Sequence, residues 1–409
     1  MNDYQRLDAW VDAHFDEEVR FLQQLIRVAT DTPPGNNAPH AELTAGLLRE
    51  FGFAAEAHPV PHAQVKEQGL GSITNLIVRR RYGDGPTVAL NAHGDVVGPG
   101  EGWTHDPYGG EIEDGRIYGR ASAVSKSDFA TYTFAVRALE ALQAPLQGGV
   151  ELHFTYDEEV GGELGPRWLL ANQLTKPDLL IAAGFSYEVV TAHNGCLQLE
   201  VTVHGKMAHA AIPDTGVDAL QAAVKILPAL YALNAQYRQQ RSGVPGINHP
   251  SLNVGRIDGG TNTNVVPGKV VFKLDRRMIP EENPQEVEAA VRQVITDAAA
   301  QCPGITVEIK RLVLANSLKP TPGQQPLVQA LQKHGKELFG VDIPAMGTPL
   351  YTDARLYGEA GVPGVLYGAG PRTVLESNAK RPDEHLQLED LRRATTVVAR
   401  TLLDLLRRA

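Results

Sequence analysis

Two short clusters carry residue types able to move protons or hold an ion. His93 and Asp95 stand two positions apart, at the end of the apolar run Val88-Ala89-Leu90. Alternate residues of a strand share a face, so the imidazole and the carboxylate point the same way. Asp157-Glu158-Glu159 directly follows a second apolar run over residues 150–156. Open α/β sheets place their chemistry at the carboxyl ends of strands, and both clusters fall there. Neighbouring carboxylates repel one another, which raises a pKa and suits Glu158 or Glu159 to acid/base work near neutral pH. Taken singly, His93 reads as a satisfied strand-end histidine and the acidic triplet as a solvated turn. Gly368-Ala369-Gly370-Pro371 also follows an apolar run. It is a glycine turn whose N–H groups, with Gly368 foremost, could hold a substrate carboxylate; no Gly-Lys-Ser/Thr follows to make it a phosphate loop.

The elements that must position these residues are readable from periodicity. Helical spacing predicts helices over 3–29, 40–52, 127–142 and 166–172, and strands over 74–80, 87–91, 150–156 and 179–183. Strands alternating with helices imply a mostly parallel sheet. The pattern changes after Asn194-Gly195. Strands at 197–204, 252–258, 269–277 and 305–313 and helices at 217–235 and 284–299 give the order β-α-β-β-α-β, the ferredoxin-like arrangement. A helix at 326–339, a loop at 348–355, a strand at 365–368 and a helix at 388–408 then return to the first style. The expected fold is an α/β domain with a mostly parallel sheet over 1–194 and 314–409, with an inserted ferredoxin-like α+β domain over 195–313.

The chain has 409 residues, enough for two domains, and a formal charge of −10 with both signs interspersed. That balance argues against nucleic acid and membrane as partners. The polar, acidic N-terminus does not read as a signal peptide. Cys196 and Cys302, the only cysteines, form no close pair, which fits a reducing cytoplasm and excludes a thiolate metal cage.

Four motifs stand in order: His93-Gly94-Asp95, Asp157-Glu158-Glu159, Gly205-Lys206-Met207-Ala208-His209, and Gly347-Thr348 with Thr352-Asp353. With Thr32-Pro33-Pro34-Gly35, Asn264-Val265-Val266-Pro267, Asp275 with Arg277, and Pro382-Asp383-Glu384, the chain resembles the co-catalytic zinc aminoacylase/carboxypeptidase family, the acetylornithine deacetylase and succinyl-diaminopimelate desuccinylase group. The resemblance implies His93 as a zinc ligand oriented by Asp95, Glu158 as the general base, and Glu159 as the ligand beside it. It also implies that 1–194 and 314–409 form the catalytic domain and 195–313 a lid and dimerisation domain, with His209 as a histidine reaching an active site across the homodimer. Asn264 and Arg277 would hold the carbonyl and the carboxylate of a small-molecule substrate.

The chain departs from that pattern at three positions. Val124 stands where the family has a metal-bridging Asp, Phe185 where it has an acidic ligand, and Lys380 where it has a histidine. Catalytic zinc takes about three protein ligands, so the sequence predicts no metal site and no cofactor. A shifted alignment could rescue one ligand, with Asp128, one helical turn beyond Val124, the obvious candidate. Removing two zinc ions and a hydroxide changes the charge by roughly −3; losing two carboxylates and gaining a lysine changes it by roughly +3. Lys380 is therefore expected to act as the electrophile beside Glu158 and Glu159, with Lys126 as a further donor and Phe185 drying the pocket. In a bland reading, Lys380 is an exposed loop residue and Arg277 pairs with Asp275 on the surface. Three functions follow: a metal-independent hydrolase of an amide bond in an N-acyl amino acid or peptide-like carboxylate, a non-hydrolytic lyase, aldolase or isomerase, or a silent binding protein.

Overall fold

The computed structural model describes residues 1–408. The chain folds into two compact units: Met1–Thr191 with Pro320–Met346 and Thr352–Ala409, and Ala192–Lys319 with Gly347–Tyr351.

The first unit is built on an eight-stranded sheet. Its order is Ala55–Pro59, Thr74–Arg81, Gly149–Thr155, Thr87–His93, Leu179–Ala182, Gly364–Leu366, Val189–His193 and Ala345–Thr348. The four strands from Gly149–Thr155 to Gly364–Leu366 run parallel. Antiparallel neighbours flank them on both sides. Thr87–His93 is buried from Val88 onward, as a central strand covered on both faces must be. The covering helices include Asp3–Ile26, Lys126–Ala141 and Leu388–Leu406, which pack on one another. Asp3–Ile26 starts at a capping box, in which the Asn2 side chain accepts the Gln5 N–H and the Gln5 side chain accepts the Asn2 N–H. Its buried Leu7, Val11, Leu22, Leu25 and Ile26 keep helical spacing.

The second unit follows the order Gly195–His204, Ala219–Tyr237, Ser251–Gly259, Lys269–Met278, Pro284–Ala300, Thr306–Ala315. Its four strands form an antiparallel sheet, ordered Ser251–Gly259, Lys269–Met278, Gly195–His204, Thr306–Ala315. Alternate residues Leu197, Leu199, Val201 and Val203 meet Ala222, Ile226 and Leu230 in a separate core. Among the described residues no helix is long and apolar enough to cross a membrane.

Several elements differ from the periodicity, three of them near the sheet and the site. Ala55–Pro59 is an edge strand with no buried residue, so it lacks an apolar alternation. Val189–His193 is a strand that the sequence reading leaves between elements. The expected loop over 348–355 contains the start of a short helix, Ala354–Glu359, whose Ala354 N–H is received by the Thr352 hydroxyl.

Candidate active site

His93 is the last residue of its strand and lies opposite Thr155 of the parallel neighbour. The chain leaving Thr155 therefore turns through Asp157-Glu158-Glu159 beside the imidazole. Glu158–Val160 is one turn of 3₁₀ helix, closed by Gly161 in a left-handed conformation. Asp95 is fully buried and joins the two clusters. Its carboxylate accepts the N–H groups of Glu158 at 3.2 Å and Glu159 at 3.0 Å.

The His93 ring has two Asp95 oxygens near Nδ1: the main-chain carbonyl at 3.0 Å and carboxylate Oδ1 at 3.4 Å. The carbonyl is the closer acceptor, so Asp95 orients the ring through its backbone as well as its charge. Nε2 then points toward Glu158 Oε2 at 3.8 Å. Burial alone would lower the His93 pKa. The Glu158 carboxylate, the Asp95 hydrogen bond and charge, and Glu159 outweigh it and hold the imidazole up at about 10. Glu158 is also raised, chiefly by burial and then by Glu159, while His93 and Lys380 pull it down.

Lys380 reaches this group. Its Nζ donates to Glu159 Oε2 at 2.6 Å, although 53% of its side chain is exposed. Burial of the ammonium lowers its pKa, but Glu159 and Glu158 reverse the shift and raise it, so the lysine stays charged. Glu384 sets the backbone of this segment. Its buried carboxylate accepts from Arg120 Nη1 at 2.6 Å, the Ala123 N–H at 3.1 Å and the Lys380 N–H at 3.2 Å. One carboxylate thus ties the segment carrying Lys380 to the one carrying Val124. Ser125 pins the latter to His93: its hydroxyl donates to the His93 carbonyl and accepts the His93 N–H, both at 3.0 Å. Val124 is therefore the immediate neighbour of a residue tied to the His93 backbone.

The structure brings His93, Asp95, Glu158, Glu159 and Lys380 together. Lys126 lies elsewhere, against the expectation that it would serve as a substrate donor. It is fully buried, its ammonium donates to the Val28 carbonyl at 2.8 Å, and burial lowers its pKa to about 7. Gly368 is not free to cradle an anion through an open turn. A Cβ there would lie 1.9 Å from Asp128 Oδ1, so close approach of that carboxylate requires the glycine. Asp128 is buried and accepts the Ala369 N–H at 2.7 Å. Phe185 is partly buried, its backbone bridged to Gly370. His209, Asn264 and Arg277 belong to the second unit. There His209 Nδ1 accepts the Ala211 N–H, and Arg277 Nε donates to Asp275 Oδ1 at 2.7 Å with its guanidinium over the Tyr351 ring.

Sequence reasoning gave no role to two buried acids. Asp157 Oδ2 accepts the Leu164 N–H at 2.5 Å, and burial followed by the Asp95 charge raises its pKa to about 8. Asp353 is raised well above its ordinary value by burial, Asp157 and Glu158. Gly162, at φ +73°, leaves no room for a Cβ beside its Oδ1. The motif Thr352-Asp353 was the available signal, but an acid alone in a loop does not announce burial.

Glu159 is taken by an ammonium, Asp95 by two backbone N–H groups, and His93 by its surrounding carboxylates. Asp128 is committed to Ala369. Among the described residues no group of three or more His, Cys, Asp or Glu side chains is arranged to hold an ion.

The family model for peptidase family M20/M25/M40 matches residues 89–404. An acetylornithine deacetylase of Edwardsiella ictaluri is 30% identical over 373 residues, covering 88% of each chain. A succinyl-diaminopimelate desuccinylase of Gluconobacter oxydans is 32% identical over 297 residues, covering 70% of this chain and 74% of its own. Among solved structures, an M20 family metallo-carboxypeptidase from Sulfolobus solfataricus superposes with a TM-score of 0.79 at 18% identity, covering 94% of this chain and 98% of its own. That last likeness concerns the fold.

Proposed function

The chain belongs to peptidase family M20/M25/M40, and from that premise we propose that it hydrolyses the amide C–N bond of a small N-acyl amino acid or peptide-like carboxylate without a dinuclear zinc centre. The observation that carries the reading is the 2.6 Å contact between Lys380 Nζ and Glu159 Oε2, next to the His93–Glu158 pair. A positive group stands where the resemblance places a metal ligand. The names of the two relatives, a deacetylase and a desuccinylase, support acyl removal.

Glu158 in its carboxylate form takes a proton from water, and the hydroxide oxygen bonds to the amide carbon. An ammonium has three N–H donors. One serves Glu159, and the others are available to the oxyanion that forms on the carbonyl oxygen. The protonated Glu158 returns its proton to the leaving nitrogen as the C–N bond breaks. His93, charged among carboxylates, stabilises Glu158 in the base form. The roles that the resemblance gives to His209, Asn264 and Arg277 belong to the same proposal.

A second reading, proton abstraction beside a substrate carboxylate as in a lyase or isomerase, is favoured by the buried, raised Glu158. Incorporation of ¹⁸O from labelled water into the product carboxylate separates the two. The metal-independent reading is tested by elemental analysis and chelation together. Stoichiometric transition metal, or activity lost to chelator and restored by zinc, would overturn it.

We also assign the protein a homodimer through its second unit. On the helix Ala219–Tyr237, Leu220, Val224 and Tyr231 are 45%, 58% and 49% exposed at helical spacing. The adjacent strand Ser251–Gly259 is an edge of its sheet, paired on one side only among the described residues. A two-fold axis would let this apolar stripe and edge cover their own copies.

A further inference from the structure

The turn that presents Glu158 and Glu159 is held at both ends. At the front, the Asp95 carboxylate accepts the N–H groups of the two glutamates. Within the turn, the Val160 and Gly162 N–H groups donate to the Asp157 carbonyl at 3.2 and 2.9 Å, and the Gly161 N–H donates to the Glu158 carbonyl at 3.0 Å. At the rear, Arg355 Nη2 donates to the Gly161 carbonyl at 2.5 Å, from the helix Ala354–Glu359. The same segment closes in on the next residue: a Cβ on Gly162 would lie 2.2 Å from Asp353 Oδ1 and 2.7 Å from Leu356 Cδ1.

Arg355 is 2% exposed, yet its charge is loosely matched. Its Nη1 lies 3.5 Å from Glu359 Oε1, and its Nε is buried with no hydrogen-bond partner. Burying a guanidinium with so loose a pair costs stability. Among the described residues, its one hydrogen bond below 3 Å is the contact with the Gly161 carbonyl. Glu359 also accepts Arg167 Nη2 at 2.6 Å, and Arg167 Nε lies 2.7 Å from Glu163 Oε2. The row of charges thus begins at Gly161 and returns to the chain at Glu163, on either side of Gly162.

A single turn of 3₁₀ helix has poor hydrogen-bond geometry and does not hold its own orientation. Asp95 alone would let it pivot about two N–H groups. The bond from Arg355 fixes the opposite end. The geometry therefore points to Arg355 as a positioning residue: through the Gly161 carbonyl it aims the turn whose Glu158 carboxylate takes a proton from water. Its burial keeps it from solvent, so its effect passes through the backbone. The role of Glu158 rests on the hydrolase reading; the clamp on Gly161 stands without it.

Arg355→Met and Arg355→Lys, made in the full chain, test the inference. The two readouts are amine release from N-acetyl and N-succinyl amino acids and hydrogen exchange over residues 157–164, with circular dichroism checking the fold. A misplacement of about 1 Å costs ~100-fold in rate. Arg355→Met should therefore lower kcat by about 10–100-fold with KM within about threefold of the parent. Exchange over 157–164 should quicken while the central sheet exchanges as before. Arg355→Lys keeps the charge and a donor and should recover part of both. An arginine that only stabilises the fold would lower the melting temperature and leave kcat and the local exchange unchanged, which overturns the inference. A raised KM with an unchanged kcat overturns it too. If Arg355→Met does not fold, Arg355→Lys decides: kcat down at least about threefold with faster exchange over 157–164 is expected, and parent values overturn the inference. Glu158→Gln tells the two failures apart. If it keeps the parent rate, the hydrolase reading falls and local exchange alone judges the clamp. If it abolishes the rate while both Arg355 variants behave as the parent, the reading of Glu158 survives and the positioning role falls.

Discussion

Lys380→Met removes one charge while keeping the length of the side chain, and the two consequences differ in size. More than half of the Lys380 side chain is exposed. Its pair with Glu159 is therefore screened and stabilises the fold by no more than about 1 kcal/mol. If the ammonium donates to an oxyanion, its loss removes about 2.7–4 kcal/mol of transition-state stabilisation, a fall of ~100–1,000-fold in kcat. The melting temperature should move little while the rate collapses. The pH profile supplies an independent sign. Glu158 is raised by burial and held down by His93 and then Lys380. Without the ammonium its pKa rises further, so the acid limb of kcat/KM moves to higher pH. The assay is amine release from a panel of N-acetyl and N-succinyl amino acids, followed across pH for both proteins. Lys380→Arg, which keeps the charge, should recover part of the rate. Activity of Lys380→Met within about threefold of the parent, with an unmoved acid limb, would refute the electrophile role.

Glu158→Gln should lower kcat by at least ~100-fold with an unchanged fold, measured by the same amine release and by circular dichroism. Arg120→Met leaves the buried Glu384 carboxylate unpaired and should cost about 3–5 kcal/mol in denaturant unfolding, whereas Arg120→Met with Glu384→Gln should recover part of that loss. Asp128 is raised from 3.8 to about 7, chiefly by burial, so its folded form favours the proton. Its contribution to stability is full below pH 4 and is lost as pH rises toward 7; Asp128→Asn should therefore flatten the melting temperature over that window. Val224→Lys should convert the proposed homodimer to a monomer in light scattering, since the lysine would fall in the apolar stripe of the second unit.

The strands at the centre of each sheet were legible because they bury apolar side chains: Thr87–His93 as a continuous run from Val88, Gly195–His204 at alternate residues from Leu197. Ala55–Pro59 buries none, since an edge strand needs only backbone pairing. At the site, the types of His93, Asp95 and Glu158 were visible in a two-residue spacing and an acidic triplet. Direction was not. Lys126 and Lys380 look equivalent as letters, yet one donates to Val28 inside the core and the other to Glu159. Asp128 reads in the sequence as a replacement ligand, and only the fold shows that its carboxylate is buried and accepts the Ala369 N–H. Burial of a polar residue is decided by partners distant in sequence, which periodicity does not encode.

The placement of Lys380 depends on a residue that does no chemistry. Glu384 holds the Lys380 N–H, the Ala123 N–H and the Arg120 guanidinium at once. Lys380 itself sits at φ +62°, a left-handed conformation that a lysine adopts only when its neighbours fix the backbone. An exposed, flexible lysine could neutralise Glu159 from many rotamers, but it could not offer its remaining N–H groups in one direction. Fixing the main chain limits the rotamers from which the ammonium can reach Glu159. Loss of Glu384 should therefore reduce kcat more than it raises KM, because what fails is the aim of a donor and not the affinity of the pocket. Glu384→Gln keeps an acceptor for both N–H groups and drops the Arg120 charge pair, and it should retain most of the rate at reduced stability. Glu384→Ala should lose both. A Glu384→Ala protein that folds and turns over normally would show that Lys380 needs no such support.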